Sequence, residues 1–276
     1  MWRSPGVVAF VCLGFGCQSF PDPPVSFVTG LRVLGVRAEP PQVSPPAETR
    51  LALLIASTAA WPVEVTWNAC LRAPLAGQVV NPSCLTADSP DLVPLGGGSA
   101  DGSSDELAVT VALPPVSPES LGQPDATGGV YLPLVARVAD GGNELTAVYR
   151  LRIGGESPAN ANPTLVSIDG LDDTADGAAA RVVRNGDELT LGVTLADGSA
   201  ETYVAPDGTL ATESLTTSWF CTAGEVSVER TSARQPTTVL RLRGAVPAAG
   251  QTIDLYAVTR DGRGGEDHAH RTLLVE

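Results

Sequence analysis

The residues best suited to metal chemistry are His268 and His270, the only two histidines of the chain. Side chains two positions apart on a β-strand lie on one face, so both imidazoles would point the same way. A zinc site needs at least a third protein ligand, and Glu266 is the nearest residue of that kind. A metal-dependent enzyme that uses His268 and His270 is therefore an alternative prediction, less favoured than a structural role for both residues. We expect both histidines on an exposed edge of the last hairpin.

A second set of potential ligands lies in segment 172–177, which reads Asp-Asp-Thr-Ala-Asp-Gly. Asp172, Thr174 and Asp176 stand at the first, third and fifth positions of a calcium-binding loop. The twelfth position holds Val183 where such a loop needs a bidentate glutamate, which excludes an EF-hand. We expect a solvated acidic turn here. A partial calcium site, and with it calcium-dependent adhesion, is the alternative.

The cysteines divide by position. Cys70 and Cys84 flank one insertion after a predicted strand, so a disulfide would close a loop of about 15 residues and stabilise the fold by about 3 kcal/mol in the chain-entropy model. A zinc site would need more ligands than this segment offers. The sequence therefore predicts the disulfide. Cys221 follows Trp219 by two residues on one strand, and we expect a small buried side chain there.

The N-terminal residues 1–16 have the three zones of a secretory signal. Arg3 provides the positive charge, an apolar stretch runs from Gly6 to Phe15, and the small residue Gly16 precedes the break. This stretch is shorter than the roughly 20 apolar residues that a transmembrane helix needs. We therefore expect a signal peptide that is removed on export.

Cys17 comes directly after this leader and resembles the lipid-attachment cysteine of exported bacterial lipoproteins. The resemblance implies cleavage before Cys17, acyl chains on this residue and, with Gln18 next to it, sorting to the outer membrane. Several acyl chains together would hold the protein on the membrane. The leader also satisfies the small-x-small rule of ordinary signal peptidase, so a secreted protein without lipid is the alternative. The Pro-rich residues 18–28 are predicted to form an extended spacer.

The overall charge argues against several partners. The chain carries 31 acidic and 17 basic residues, a formal net charge of -14. An acidic chain lacks the basic stripe that neutralises phosphates, so nucleic acid is not an expected partner. The expected partners are the membrane, reached through the lipid, and a protein or glycan that the sequence does not identify. No cofactor is expected, because no glycine-rich sequence opens a helix.

A weak internal repeat organises the rest of the chain into two copies of one unit. In each copy a tryptophan, Trp67 or Trp219, stands in the third predicted strand, and the last hairpin has an Asp-Gly turn at Asp140 or Asp261. The predicted strands of the first copy cover residues 31–38, 50–57, 64–70, 106–114 and 131–153. Those of the second cover residues 163–169, 188–198, 215–224, 237–247 and 252–275. Prolines and glycines between these runs indicate turns.

Alternating apolar residues such as Leu107, Val109, Val111 and Leu113 indicate half-buried strands. Short strands at this spacing, with a tryptophan on the third, resemble immunoglobulin-like sandwiches of the cysteine-free fibronectin type III or PKD kind. The predicted fold is therefore all-β, with two tandem antiparallel immunoglobulin-like β-sandwiches after a signal peptide. We place the sandwiches at 29–153 and 163–276, with a linker at 154–162.

Four segments together resemble uncharacterised lipoproteins of high-GC Gram-negative bacteria. They are GLRVLGVRAEPPQVSPPAETRLALL (30–54), WNAC (67–70), WFCTAGEVSVERT (219–231) and VTRDGRGG (258–265). The resemblance implies a location in the cell envelope and supplies no catalytic residue. We expect a non-enzymatic binding or structural protein that binds through its longer inserts, residues 71–104 and 197–214, because loops on a rigid sandwich carry recognition.

Overall fold

The computed structural model describes residues 24–57, 62–100, 106–124, 127–155, 159–171, 180–205, 207–244 and 246–276. The signal peptide, the lipid-attachment candidate Cys17 and the calcium-ligand candidates Asp172, Thr174 and Asp176 lie outside these residues.

The described elements of the first half are nearly all strands. They are β1 (Arg32–Glu39), β2 (Gln42–Val43), β3 (Glu48–Ala56), β4 (Val63–Cys70), a 3₁₀ helix (Pro82–Leu85), β5 (Leu92–Ala100), β6 (Glu106–Ala112), α1 (Pro118–Leu121), β7 (Val130–Ala139) and β8 (Glu144–Ile153). One sheet has the order β1-β3-β6 and the other the order β2-β8-β7-β4-β5. Both sheets contribute to one hydrophobic core around Trp67, which is 1% exposed.

The second half repeats this arrangement. Its described strands are β9 (Leu165–Asp169), β10 (Arg181–Val183), β11 (Glu188–Leu195), β12 (Thr202–Val204), β13 (Leu210–Thr212), β14 (Thr216–Cys221), β15 (Glu225–Val226), β16 (Arg230–Ser232), β17 (Thr238–Arg241), β18 (Thr252–Arg260) and β19 (Glu266–Val275). The sheets have the orders β15-β17-β11-β9 and β10-β19-β18-β14-β16. They enclose a second core around the fully buried Trp219.

The two halves therefore share one topology, with β1, β3, β4, β6, β7 and β8 matching β9, β11, β14, β17, β18 and β19. This confirms the predicted all-β fold of immunoglobulin-like sandwiches and the order of the predicted repeat. Each sandwich also contains one short parallel pairing, β2 with β8 and β10 with β19, where the sequence predicted antiparallel strands. In the first sandwich Pro40 and Pro41, which have no N–H to donate, end β1 and let the chain cross to the other sheet.

The two sandwiches pack side by side through a third apolar cluster. Tyr256 and Val258 on β18 alternate with core residues, so they lie on the outer face of their sheet, where they meet Leu34 and Leu54 of the first sandwich. On β3, Leu53 belongs to the first core while Leu54 belongs to this interface. Strand β3 is consequently buried on both faces.

The N-terminal segment differs from the predicted spacer in its described part. Phe27 forms a parallel bridge with Cys221 of the second sandwich, and the Val28 N–H donates to the Cys221 carbonyl at 2.9 Å. Val28 is 1% exposed and lies in the interface cluster. Strand β16 pairs only with Thr216–Ser218 of β14, so the backbone groups of Cys221 at the end of β14 are available to residues 24–28, which dock there and do not extend away from the domains. The helices in the described part of the chain, Pro82–Leu85 and Pro118–Leu121, are both far too short to span a membrane.

Candidate functional site

The two histidines lie close together on β19 but contact different acidic residues. His268 Nε2 is 3.2 Å from Glu106 Oε2 of the first sandwich, whereas His270 Nε2 is 3.0 Å from Asp254 Oδ1. His270 also stacks on Tyr256, with ring centroids 4.5 Å apart. The described part of the chain contains no group of three or more His, Cys, Asp or Glu side chains that could hold a metal ion.

The prediction that the histidines are exposed is wrong for His268, whose side chain is only 11% exposed. The first sandwich covers this end of the sheet, which a hairpin read by itself cannot reveal. Burial lowers the pKa of His268, against the opposing effect of Glu106. His268 therefore belongs to the packing between the domains.

The predicted disulfide between Cys70 and Cys84 is present, with the two Cα atoms 5.8 Å apart. The loop that it closes folds back onto the outer face of the β7–β8 sheet, where both cysteines pack with Val80 and Val135. Asn81 holds the loop from within by donating to the Ala73 carbonyl at 2.9 Å. The described part of the first predicted insert is thus a cover on this sheet, and its residues 92–100 form strand β5.

The second predicted insert forms the hairpin of β12 and β13. It reaches the turn of the last hairpin through Arg263, whose Nη1 is 2.8 Å from Glu213 Oε1 and whose guanidinium lies 4.4 Å from the centre of the Tyr203 ring. Burial raises the pKa of Glu213. The second insert is therefore held against the turn of the last hairpin.

This turn, residues 260–265 with the sequence RDGRGG, is organised around a buried carboxylate. Asp261 is 3% exposed, and its Oδ1 accepts the N–H groups of Arg263, Gly264 and Gly265 at 2.6, 3.0 and 2.9 Å. Its Oδ2 accepts Nδ2 of Asn160 at 2.9 Å. Burial raises the pKa of Asp261 in spite of these bonds. The turn is consequently tied to the segment that joins the two sandwiches.

The same turn docks on the first sandwich. The Tyr149 hydroxyl donates to the Gly264 carbonyl at 2.6 Å, and a Cβ on Gly264 would lie 3.5 Å from the Arg150 carbonyl. Gly264 has a φ of +116°, a conformation that L side chains rarely adopt. Arg260 Nη2 donates to the Leu34 carbonyl at 2.7 Å, while its Nε is 2.6 Å from Glu266 Oε2. These contacts fix the hairpin of one domain against two strands of the other.

A cavity of about 300 Å³ opens between these parts. Its walls come from the disulfide-closed loop, from the outer face of β7 and β8, and from the RDGRGG turn of the second sandwich. They include Val79, Tyr131, Val148, Arg150, Arg260 and Arg263. We call it the junction cavity.

Its most accessible cation is Arg150, which is exposed and stacks on Tyr131 with 4.1 Å between guanidinium carbon and ring centre. No acidic side chain of the described residues forms a salt bridge with Arg150, whereas Arg260 and Arg263 each pair with glutamates. The cavity thus combines apolar walls with an uncompensated guanidinium. Sequence reasoning missed this site, since alternation in YRLRI marks Arg150 only as an outward-facing strand residue.

A second cavity of about 300 Å³ lies within the second sandwich. Its walls include Val193, Leu195, Thr217 and Thr231, with Glu213 at one side. Glu213 is already bonded to Arg263 and to the N–H of Glu201, and Thr231 accepts the indole N–H of Trp219. Glu213 and Thr231 are thus already hydrogen-bonded within the protein, so the junction cavity is the better candidate for binding.

No protein-family model matches the chain, and no curated protein matches it either. Among solved structures, it is similar to a nucleoside hydrolase-related hypothetical protein from Saccharophagus degradans (18% identity over 43% of this chain and 26% of that chain, TM-score 0.28). It is also similar to a marsupial T cell receptor (12% identity over 88% of this chain and 98% of that chain, TM-score 0.22). A third similar structure is the eight-domain N-terminal part of the Down syndrome cell adhesion molecule (10% identity over 90% of this chain and 25% of that chain, TM-score 0.23).

The chain spans about a quarter of the first of these structures. TM-scores of this size say nothing about activity or partners. The assignment of the fold therefore rests on the strand order and pairing of the chain itself.

Proposed function

We propose that this protein is a lipid-anchored, non-enzymatic binding protein of the bacterial cell envelope, and that it binds through the junction between its two sandwiches. The observation that carries the proposal is the junction cavity, because both domains and the disulfide-closed insert contribute to it. Rigid sandwiches that hold loops around a cleft are suited to recognition.

Two further features support the envelope location. The Cys70–Cys84 disulfide belongs to an oxidising compartment, such as the periplasm or the cell surface. The leader and Cys17 have the pattern of an exported lipoprotein. Residues 24–28 dock on the second sandwich, and six residues, 18–23, separate this segment from Cys17. A lipid on Cys17 would therefore be tethered to the domains by a short segment.

The anchor is tested by fractionating cells that produce the wild type, Cys17→Ser or the matched control Cys12→Ser. We expect the wild type and C12S in the outer-membrane fraction, with an intact mass that begins at an acylated Cys17. C17S should lose the acyl mass and leave the membrane. Recovery of C17S in the membrane with wild-type yield would contradict lipid anchoring.

Binding at the junction is tested by placing a photo-crosslinking amino acid at Val79, which is 54% exposed beside the cavity, and at Val166, which is 60% exposed elsewhere. Illumination of living cells should give a discrete adduct from position 79 and none from 166. Equal labelling from both positions, or no adduct from either, would count against a binding site at the junction.

A further inference from the structure

We propose that the junction cavity binds a small organic carboxylate with an apolar ring, of the size of one sugar or one aromatic acid. This inference rests on the proposed function, since it names the ligand class of the same site. It is carried by the size of the cavity, the state of Arg150 and the nature of the walls.

The size limits the ligand. A volume of about 300 Å³ lies at the lower end of the range of small-molecule sites, about 300–1,000 Å³. Its walls are the disulfide-closed loop, the β7–β8 face and the RDGRGG turn, and the cavity is open to solvent. A single ring with its substituents fits such a space, whereas a folded partner or a helix would not enter it.

The charge selects an anion. Arg150 presents a planar fork of N–H donors that matches a carboxylate, and its stacking on Tyr131 holds the guanidinium plane. The acidic residues near the cavity have partners within the protein: Asp261 accepts backbone N–H groups of its own turn, Glu266 pairs with Arg260, and Glu213 pairs with Arg263. Arg150 is thus the wall cation that a ligand would neutralise.

The whole molecule favours a small anion over a long one. The formal charge of -14 repels an extended polyanion along its length. A ligand with one carboxylate brings a single negative charge to walls that include Arg150, Arg260 and Arg263.

The apolar walls select the ring. Val79 and Val148 line the cavity together with the Tyr131 ring. Inorganic anions such as phosphate gain nothing from these side chains, whereas burying one face of a ring removes apolar surface from water. A sugar acid and an aromatic acid share this chemistry, and the test separates them.

The test measures binding of four probes to the full chain by calorimetry: D-glucuronate, benzoate, neutral D-glucose and inorganic phosphate. We expect glucuronate or benzoate to bind at least about tenfold more tightly than glucose and phosphate. Preference for glucuronate identifies a sugar acid as the ligand class, and preference for benzoate an aromatic acid.

Arg150→Gln should weaken that binding at least about tenfold, because the fork loses its charge. The matched control is Arg184→Gln, another exposed arginine, which pairs with Glu276 outside the cavity and should bind like the wild type. Val79→Glu provides a second variant, since a carboxylate at the exposed rim should also repel the ligand. Circular dichroism confirms that each variant is folded.

The inference is overturned if neither acid binds, if glucose or phosphate binds as tightly as the acids, or if R150Q and V79E bind like the wild type. The crosslinking experiment distinguishes this failure from failure of the proposed function. An adduct from position 79 without binding of either acid would reject the ring carboxylate and leave the junction as a binding site. Absence of that adduct would count against both.

Discussion

At the scale of single residues, burial between the domains sets the chemistry of Glu266. Its side chain is 6% exposed, and its Oε2 contacts Arg260. Its Oε1 is buried and occupies the space that a side chain at Gly35 would need. Burial raises the pKa of Glu266 to about 7. Burial likewise raises the pKa of the Cys221 thiol to about 12, so this cysteine remains protonated and unreactive in the native state.

The Glu266 carboxyl should make stability depend on pH. Its folded pKa of about 7 lies above the ordinary 4.5, so the folded chain holds this proton more tightly. The corresponding stability is present below pH 4.5 and is lost as the pH rises through about 7. We expect the wild type to lose about 2 kcal/mol relative to Glu266→Gln between about pH 5.5 and about pH 8.

Urea unfolding of both proteins at the two pH values measures this difference. The comparison with E266Q removes the contributions of His268 and the other titrating groups, which are common to both proteins. Parallel stability curves for the two proteins would show that Glu266 does not titrate in this range.

At the scale of elements, two equivalent hairpins have different roles. In the first sandwich the Asp140 Oδ1 accepts the N–H groups of Gly142 and Asn143 at 3.0 and 2.7 Å, in an exposed turn. The hydrogen bond from the Asn143 backbone N–H is the largest cause of a lowered pKa for Asp140. Asp261 caps the matching turn but is buried and also bonds Asn160. The same local motif thus serves as a free turn in one domain and as a junction in the other.

Substituting each aspartate by asparagine separates these roles. Asp261→Asn would replace one carboxylate oxygen, an acceptor, by an amide NH2 group, a donor. Because the Asp261 carboxylate faces four N–H donors, we expect a loss of about 2–3 kcal/mol in the free energy of unfolding. Asp140→Asn, the matched control, should cost clearly less, because water can satisfy its exposed turn. Chemical denaturation of both variants gives the comparison. Equal losses would mean that the Asp261 turn does not hold the junction.

At the scale of the whole molecule, the domain interface should make the two sandwiches unfold together. The cluster of Val28, Leu34, Leu54, Tyr256 and Val258 is apolar and almost fully buried. A salt bridge between Arg37 and Asp267, 2.9 Å long, lies beside it, and Asn162 bonds the Ala38 carbonyl. Such contacts couple the free energies of the two domains.

Leu54→Asp tests this coupling. A carboxylate in the interface would be buried without a partner, at a cost of about 3 kcal/mol or more. We expect scanning calorimetry to show one cooperative transition for the wild type and two for L54D. Leu210→Asp, at a leucine that is 79% exposed, should keep the single transition. A single transition at a lowered temperature in L54D would instead place Leu54 within one shared core.

What the sequence determined by itself was local. Alternation placed the strands, prolines and glycines ended them, the repeat predicted matching topologies around Trp67 and Trp219, and spacing predicted the Cys70–Cys84 disulfide. These patterns extend over short segments, so they can be recognised without knowledge of the fold. The continuous apolar run in β3, RLALLIA, also carried a sign of burial on both faces that alternation alone did not explain.

Only the tertiary structure decided how the domains meet. The bond between Tyr149 and Gly264 joins residues 115 positions apart, and the pair Arg37–Asp267 spans 230. No periodicity encodes such contacts, because each partner looks like an ordinary strand or turn residue in its own segment. The burial of His268, the docking of residues 24–28 and the exposure of Arg150 in the junction cavity all follow from this packing, since which faces remain open to water depends on where the other domain lies.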